Sequence, residues 1–321
     1  MNKPALTVVI PAFNEERFIA RQLATLRRHT AAFETQVIVV DNGSSDRTVE
    51  LARTGGADLV LQERGSVAAV RNAGARQAAA DVLMFIDADV FLTEAWARRI
   101  GEVIDKVRCD RVLTGSWVSV PPDCTWLERY WFKPLEHGRN THMNSGHMIV
   151  SKALFDELGG FDATLETGED FDFSMRARAA GATLIDDVAL KVIHEGYPKS
   201  VREFMRREVW HGTGDCQSVR TFFGSRVAVI GFLVLHGLVL GWALSLLTHW
   251  PGWGWLATVA VVGISLLSSL YRYRRVDLRT RTITTLLYVC YFLARGLSLY
   301  AAAARSNGTK STVKVSPEAR H

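Results

Sequence analysis

The sequence of 321 residues is poor in cysteine: its four cysteines are scattered and never form a Cys-x-x-Cys pair. This spacing indicates neither a zinc site nor a disulfide framework, and it fits a reducing compartment. The N-terminal apolar run is short and is broken by Pro11, which is not the pattern of a secretory signal peptide. Low-complexity blocks and internal repeats are also missing from the sequence, so a repeat architecture is not indicated.

Acidic residues are rare in the last third of the chain. The formal net charge is +5, yet residues 226–321 hold 11 Lys and Arg against 2 Asp and Glu, whereas residues 1–225 hold 27 against 31. The first part therefore has the composition of a soluble domain. The last part is apolar with basic punctuation, which is typical of membrane segments. We accordingly expect a membrane as partner and no nucleic acid.

Three apolar runs in the last third are candidates for membrane spans. Residues 227–248 and 256–270 contain no Asp, Glu, Lys or Arg. The Arg-rich segment 271–275 follows, and it predicts that the N-terminal domain lies on the cytoplasmic side. The third run, 283–304, carries Arg295 near its middle. The sequence therefore predicts either a third span, with Arg295 facing protein or a lipid phosphate, or an interfacial helix.

The N-terminal part alternates between apolar strands and helices. Strands are predicted over 6–10, 37–40, 58–61 and 82–86, and a helix is predicted over 66–80. This alternation predicts an α/β fold with a mainly parallel sheet that is covered on both faces. Asn14 is predicted to cap the first helix, with Glu15 and Glu16 in its first turn.

Asp87 and Asp89 follow the fourth predicted strand at positions i and i+2. In extended chain such positions point the same way, so the two carboxylates converge where the strand leaves the core. Oxygen ligands of this kind suit Mg²⁺ or Mn²⁺, which is often shared with substrate phosphates. For these two residues alone, one helix cap and one solvated acid remain the alternative.

Five segments, in chain order, resemble the motifs of the family 2 glycosyltransferases. They are VIPAFNEE (9–16), VDNGSSDRT (40–48), AVRNAG (69–74), DAD (87–89) and GEDFD (168–172). The resemblance covers about residues 6–211. It implies the GT-A fold, with a Rossmann-like, mainly parallel sheet, to which a C-terminal α-helical membrane region is added.

The resemblance implies a pocket for a UDP- or GDP-sugar. The implied nucleotide-sugar contacts are Pro11, Phe13, Glu15, Asp41, Arg71 and Asp87. Asp41 would accept a hydrogen bond from the base, and Arg71 would contact the diphosphate. Asp87 and Asp89 would hold Mn²⁺ or Mg²⁺ on the diphosphate, with His194 as a candidate third ligand or a structural histidine.

The resemblance also implies a catalytic motif at Glu169 and Asp170, and we assign the base of an inverting transfer to Asp170. A charged helix start is the alternative for this segment. The residues implied on the acceptor side are Asn144, Ser145, Gly146, Arg206 and Trp210. Only Trp210 matches the Gln-x-x-Arg-Trp motif of processive synthases, so transfer of a single sugar is expected.

Three further histidines, His137, His142 and His147, are spaced by five residues. This spacing favours no single helix or strand face, so we interpret all three as loop residues and not as a metal site.

Together these patterns predict a membrane-bound inverting glycosyltransferase in the inner (plasma) membrane, with its catalytic domain in the cytoplasm. The expected domains are 1–222 (catalytic), 223–304 (membrane) and 305–321 (flexible tail). The expected acceptor is a polyprenyl-linked saccharide of envelope or exopolysaccharide assembly. A bare polyprenyl phosphate, as in dolichyl-phosphate mannose synthase-like enzymes, is the alternative, and a catalytically silent scaffold is a remote one.

Overall fold

The computed structural model describes residues 3–116, 118–135 and 142–311. The chain forms two compact units, Met1–Tyr197 and Pro198–His321.

The first four strands of the first unit match the four predicted strands closely. The strands are β1 (Leu6–Ala12), β2 (Thr35–Asp41), β3 (Leu59–Gln62), β4 (Val82–Ile86), β5 (Val90–Leu92), β6 (Val112–Gly115), β7 (Val118–Ser119), β8 (His147–Ser151), β9 (Thr183–Asp186) and β10 (Val192–His194). Its helices are α1 (Ile19–His29), α2 (Thr48–Thr54), α3 (Val67–Arg76), α4 (Glu94–Cys109), α5 (Lys152–Glu157) and α6 (Glu169–Ala179). A π-helical turn (Glu128–Phe132) and a 3₁₀ turn (Lys133–Leu135) lie between β7 and β8.

Seven strands form one sheet in the order β3-β2-β1-β4-β8-β6-β9. The run from β3 to β4 is parallel, β8 is antiparallel to both of its neighbours, and β6 and β9 are parallel. A small second sheet has the order β5-β10-β7. The mainly parallel sheet that the sequence predicts is therefore confirmed.

Apolar residues cover the large sheet on both faces. In β1, Val8 and Ile10 belong to one buried cluster with α1 and α4, whereas Val9 belongs to a second cluster with α3, α5 and α6. Burial on both faces explains why the parallel strands are continuous apolar runs without alternation.

The predicted cap at Asn14 is wrong. Helix α1 begins at Ile19, after a turn that contains Glu15 and Glu16. Asn14 has φ 57° and joins two loops instead, because its amide donates to Ser44 Oγ (2.8 Å) and its side-chain oxygen accepts from the Ser45 amide (2.9 Å). An asparagine tolerates this left-handed conformation better than most residues do.

The second unit consists of helices. They are α7 (Val201–Asp215), α8 (Val219–Gly224), α9 (Arg226–Thr248), α10 (Gly252–Arg272) and α11 (Leu278–Ser311). Three stretches are long and apolar enough to cross a membrane, namely Arg226–Thr248, Gly252–Arg272 and Leu278–Ala304. The tail predicted from residue 305 begins inside α11, and residues 312–321 lie outside the described part.

Small residues allow the helices of the second unit to approach closely. A Cβ on Gly296 of α11 would lie 2.5 Å from the Gly231 carbonyl oxygen of α9. A Cβ on Gly212 of α7 would lie 2.1 Å from Ser298 Oγ of α11. Close helix packing through small residues is typical of membrane proteins.

A glycine pair tests the packing of α3 on the sheet. A Cβ on Gly74 would lie 2.4 Å from Val9 Cγ1, whereas nothing lies within 4 Å of a Cβ on Gly101 of α4. We expect Gly74→Ala to lower the free energy of unfolding by about 1–3 kcal/mol. Gly101→Ala should leave it unchanged or raise it by up to about 1 kcal/mol. Denaturant unfolding of both variants checks this, and equal stabilities would contradict the packing.

Candidate active site

The carboxyl ends of β1, β2 and β4 place acidic residues at one edge of the large sheet. Asp41 is the last residue of β2, Asp87 follows β4 directly, and Glu15 lies in the loop after β1. Because β8 runs antiparallel to β4, the segment 144–146 that precedes β8 reaches the same edge. The crevice at the carboxyl ends of such strands is where α/β proteins bind ligands.

A buried arginine joins two of the predicted site segments. Arg71, on α3, is 3% exposed. Its guanidinium donates to Asp87 Oδ1 at 2.6 Å and to Glu169 Oε1 at 2.8 Å. The observed partners of the guanidinium are these two carboxylates, and the contact of Arg71 to a diphosphate stays a prediction.

Glu169, the first residue of α6, is buried and held from two sides. Ser145 Oγ donates to Glu169 Oε1 at 2.9 Å, the oxygen that also accepts from Arg71. Burial raises the pKa of Glu169, and the positive charge of Arg71 opposes this shift. With both donors on one oxygen and little exposed surface, Glu169 is a fixed anchor for the start of α6.

Asp170 is less buried than its neighbour Glu169. Its Oδ1 accepts from the Phe171 amide at 2.8 Å, and its Oδ2 lies 3.4 Å from the Ser145 amide. These contacts orient the carboxylate while leaving part of it accessible. Asp170 is thus an oriented carboxylate that is less buried than Glu169, and its predicted role as the base stays a prediction.

Gly146 passes close to Asp87. Its carbonyl accepts from the Asp87 amide at 3.2 Å, and its own amide donates to Asn144 Oδ1 at 2.7 Å. A Cβ on Gly146 would lie 2.8 Å from Asp87 Oδ2. The predicted segment of Asn144, Ser145 and Gly146 is thus brought directly against the strand-end acid.

Asp89 meets His194, which the sequence places 105 residues later. His194 ends β10, which pairs with β5 in the small sheet, and its Nε2 lies 3.0 Å from Asp89 Oδ2. The Tyr197 ring packs on the His194 ring with centroids 4.1 Å apart. The small sheet therefore brings His194 to Asp89, a contact that is compatible with both predicted roles, a metal ligand and a structural histidine.

Negative charge accumulates around Glu15. Burial, followed by the charges of Asp89, Asp87 and Asp46, raises the pKa of Glu15 to about 8. Crowded carboxylates of this kind fit a divalent cation with oxygen ligands. In the described part of the chain, no three His, Cys, Asp or Glu side chains form a complete metal site.

The expected nucleotide-binding residues occupy the first two loops. Asp41 is fully buried, and its carboxylate accepts from the amides of Gly43 (3.0 Å) and Ser44 (3.1 Å). Pro11 is partly buried within β1, whereas the Phe13 side chain is 57% exposed. Asp41 thus fixes the conformation of the loop that follows β2. The Phe13 ring, in the loop that follows β1, is exposed to solvent.

The remaining acceptor-side residues, Arg206 and Trp210, lie in the second unit on α7. Both are exposed and stand one helical turn apart, so they share a face. Glu208, on the buried side of α7, lies 3.6 Å from Arg295 Nε of α11, and Asp215 lies 3.7 Å from Arg295 Nη1. Arg295 therefore faces protein, which is one of the options that the sequence analysis left open.

The interpretation of His147 as a loop residue is wrong. His147 begins β8 and is buried; its Nε2 accepts from Trp96 Nε1 at 3.0 Å, and its Nδ1 lies 3.3 Å from Ser116 Oγ. Burial lowers the pKa of His147 to about 3, so its ring stays neutral. His142 lies in a bend, and His137 lies outside the described residues.

Two family profiles match the chain. The profile described as Glycosyl transferase family 2 covers residues 7–156, and that of Glycosyl transferase family group 2 covers residues 137–299. This chain is a family 2 glycosyltransferase. The acids at the strand ends and at the start of α6 belong to the five segments that resemble the motifs of this family.

Curated relatives are similar over most of this glycosyltransferase. Glycosyltransferase AglE of Haloferax volcanii is 28% identical over 252 residues, which cover 72% of this chain and 82% of the relative. Pre-mycofactocin glycosyltransferase of Mycobacterium tuberculosis is 26% identical over 274 residues, which cover 80% of this chain but only 55% of the relative.

A solved structure shows the same fold. The mannosyltransferase PcManGT of Pyrobaculum calidifontis, in complex with GDP-Man and Mn²⁺, superposes with a TM-score of 0.55 at 19% identity. The match covers 94% of this glycosyltransferase and 88% of the mannosyltransferase. The GT-A fold that the sequence resemblance implies is thus confirmed.

Gln22 contacts the site but was not predicted from the sequence. Gln22 is fully buried on α1, and its Nε2 donates to the Asp87 carbonyl oxygen at 3.3 Å. It supports the backbone that carries the strand-end acid. A polar residue among the buried apolar residues Ile19 and Leu23 of the same helix was the signal that could have identified it.

Removing Arg71 should destabilise the fold, because it leaves two acids close together without their counter-charge. We expect Arg71→Met to lower the free energy of unfolding by about 3 kcal/mol. Adding Glu169→Gln should recover part of this loss, since it removes one unpaired carboxylate. Chemical unfolding of the full chain in detergent measures both, and an Arg71→Met variant as stable as the parent would contradict the buried pairing.

Proposed function

We propose that this glycosyltransferase moves one sugar from a nucleoside-diphosphate sugar to a lipid-linked acceptor with inversion at the anomeric carbon. The observation that carries the proposal is the joining of Asp87 and Glu169 by one buried guanidinium. This contact sets the strand-end acids, which suit a donor diphosphate and its cation, beside Asp170, which suits an acceptor hydroxyl.

The donor is a UDP- or GDP-sugar bound over the carboxyl ends of β1 and β2. The exposed ring of Phe13 provides a surface against which a base stacks. Asp41 keeps the loop after β2 in shape through its hydrogen bonds to Gly43 and Ser44, and we assign it the base contact as well. The mannosyltransferase of the same fold binds GDP-Man with Mn²⁺, which supports a nucleotide sugar as donor.

The residues to which we assign Mn²⁺ or Mg²⁺ are Asp87 and Asp89, with His194 as the candidate third ligand. Within the described residues these side chains do not form a complete metal site, so oxygens of the donor diphosphate would complete the coordination. Such an ion neutralises charge on a leaving nucleoside diphosphate. Burial and, after it, the charges of Asp89, Asp87 and Asp46 raise the pKa of Glu15, and this crowding of acids supports a cation at this place. Arg71 keeps Asp87 in position through a hydrogen bond to Oδ1. The other carboxylate oxygen, Asp87 Oδ2, lies beside Gly146.

Asp170 takes the proton from the acceptor hydroxyl as that oxygen attacks the anomeric carbon. Two backbone amides orient its carboxylate. Glu169 is less suited to this role, because it is buried and its Oε1 already accepts from Arg71 and Ser145. We therefore assign proton transfer to Asp170 and anchoring of the motif to Glu169.

Three apolar helices support attachment to a membrane, which we propose is the inner (plasma) membrane. The Arg-rich segment 271–275, which includes the last residues of α10, favours a cytoplasmic side for that helix end, where nucleotide sugars are made. The pairing of Arg295 with Glu208 reduces the cost of placing this charge in a span.

The acceptor is a polyprenyl-linked molecule of envelope or exopolysaccharide biosynthesis. Arg206 and Trp210 share an exposed face of α7, and a basic and aromatic pair of this kind suits the phosphate and headgroup region of a lipid. The segment of Asn144, Ser145 and Gly146 lies beside both Asp87 and Asp170, where an acceptor sugar would meet the donor.

Release of nucleoside diphosphate tests this proposal. The full chain in detergent is screened against UDP- and GDP-sugars with polyprenyl-linked acceptors, with Mn²⁺, with Mg²⁺ and with chelator. We expect release from one donor class, dependent on the cation. Asp170→Asn should lower transfer at least about 100-fold while donor affinity stays the same, since only the proton acceptor is lost.

Asp172→Asn is the matched control for this test. Asp172 lies on the same helix and pairs with Arg176 at 2.6 Å, so its removal should leave transfer near the parental rate. Parental turnover by Asp170→Asn, or release from no donor in the screen, would contradict the proposed function.

A further inference from the structure

Helix α6 sends two phenylalanines to different environments. Phe173 is fully buried and packs with Phe155 and Phe161 at centroid distances of 5.3 and 5.1 Å. Phe171, two residues earlier, is 49% exposed. Burying the Phe171 ring would be favourable, so its exposure next to the site makes it a candidate for contact with a substrate.

Phe171 lies next to the proposed base. Its amide nitrogen is 2.8 Å from Asp170 Oδ1. The His142 ring packs on the Phe171 ring, with centroids 5.6 Å apart and planes at 74°. We call Phe171 and His142 the aromatic pair.

We propose that the aromatic pair binds a sugar ring of the acceptor, so that the acceptor is a lipid-linked saccharide and not a bare polyprenyl phosphate. This inference rests on the proposed function. An acceptor hydroxyl that gives its proton to Asp170 lies about 2.6–3.2 Å from that carboxylate. The segment 142–146 links the two positions, because Ser145 contacts Asp170 Oδ2 and His142 packs on the Phe171 ring. The sugar ring that carries this hydroxyl would lie along this segment and bury its apolar C–H face against Phe171.

The chemistry of the nucleophile supports the same choice. A phosphate monoester is already ionised near neutral pH, with a second pKa of about 6, and needs no base to attack. It would also be repelled by the Asp170 carboxylate. The buried cation close to this carboxylate, Arg71, is already paired with Asp87 and Glu169. A neutral hydroxyl next to Asp170 meets none of these obstacles.

Transfer assays on Phe171 variants of the full chain test the inference. The acceptors are undecaprenyl diphosphate-linked monosaccharides and undecaprenyl phosphate, used with the donor that the screen identifies. We expect Phe171→Leu to raise the KM for the saccharide lipid about five- to tenfold, while the KM for the donor and acceptor-free donor hydrolysis stay unchanged. Phe171→Trp should leave the KM for the saccharide lipid near the parental value, because it keeps an aromatic ring at this position. Tyr271→Leu, which removes a ring that is 84% exposed on α10, is the control.

Binding gives a second readout that needs no turnover. In saturation-transfer NMR with methyl glycosides, the C–H protons of one glycoside should receive saturation from the parent chain and lose it with Phe171→Leu. An unchanged pattern, an unchanged KM for the saccharide lipid, or transfer to undecaprenyl phosphate alone would overturn the inference and leave the glycosyl transfer intact. Release of nucleoside diphosphate from no donor would overturn both.

Discussion

The arrangement of the site depends on one buried guanidinium. Arg71 is enclosed between Asp87, at the end of β4, and Glu169, at the start of α6. A buried charge costs several kcal/mol unless it is paired, so the fold is stable only when both acids are held at hydrogen-bond distance. Ser145 adds a third element to the same contact through Glu169. Holding these acids in place therefore also fixes Asp170 relative to Asp87.

Local pattern predicts the frame of this site but not its central contact. The strands follow from continuous apolar runs, and the acids at their ends follow from the rule that parallel strands present their carboxyl ends together. Arg71 and Glu169 are 98 residues apart, and α3 shows only an alanine-rich pattern around the arginine. Burial of Arg71 depends on how α3 and α6 pack on one sheet, which no local spacing encodes. The error at Asn14 has the same origin, because its partners Ser44 and Ser45 lie in another loop.

In the second unit, too, the local sequence pattern does not identify the partners of a charge, here Arg295 in the apolar helix α11. Arg295 alone left two interpretations, because a lone charge suits either an interface or a protein-facing position. Its partners Glu208 and Asp215 lie on α7, which sequence spacing does not connect to α11. Glycines at the helix contacts, Gly212 and Gly231, allow the helices to come close enough for these pairs to form. Helix α7, which precedes the three apolar helices, thus provides negative partners for Arg295 in the third of them.

In the proposed glycosyl transfer, the oriented carboxylate of Asp170 serves a single displacement at the anomeric carbon. A single displacement reverses the configuration of that carbon, whereas a double displacement or a front-face attack retains it. The most direct measurement is the anomeric configuration of the product, read from its one-bond carbon–proton coupling by NMR. Inversion through Asp170 gives a product with the configuration opposite to that of the donor sugar. A product that keeps the configuration of the donor would contradict the role given to Asp170.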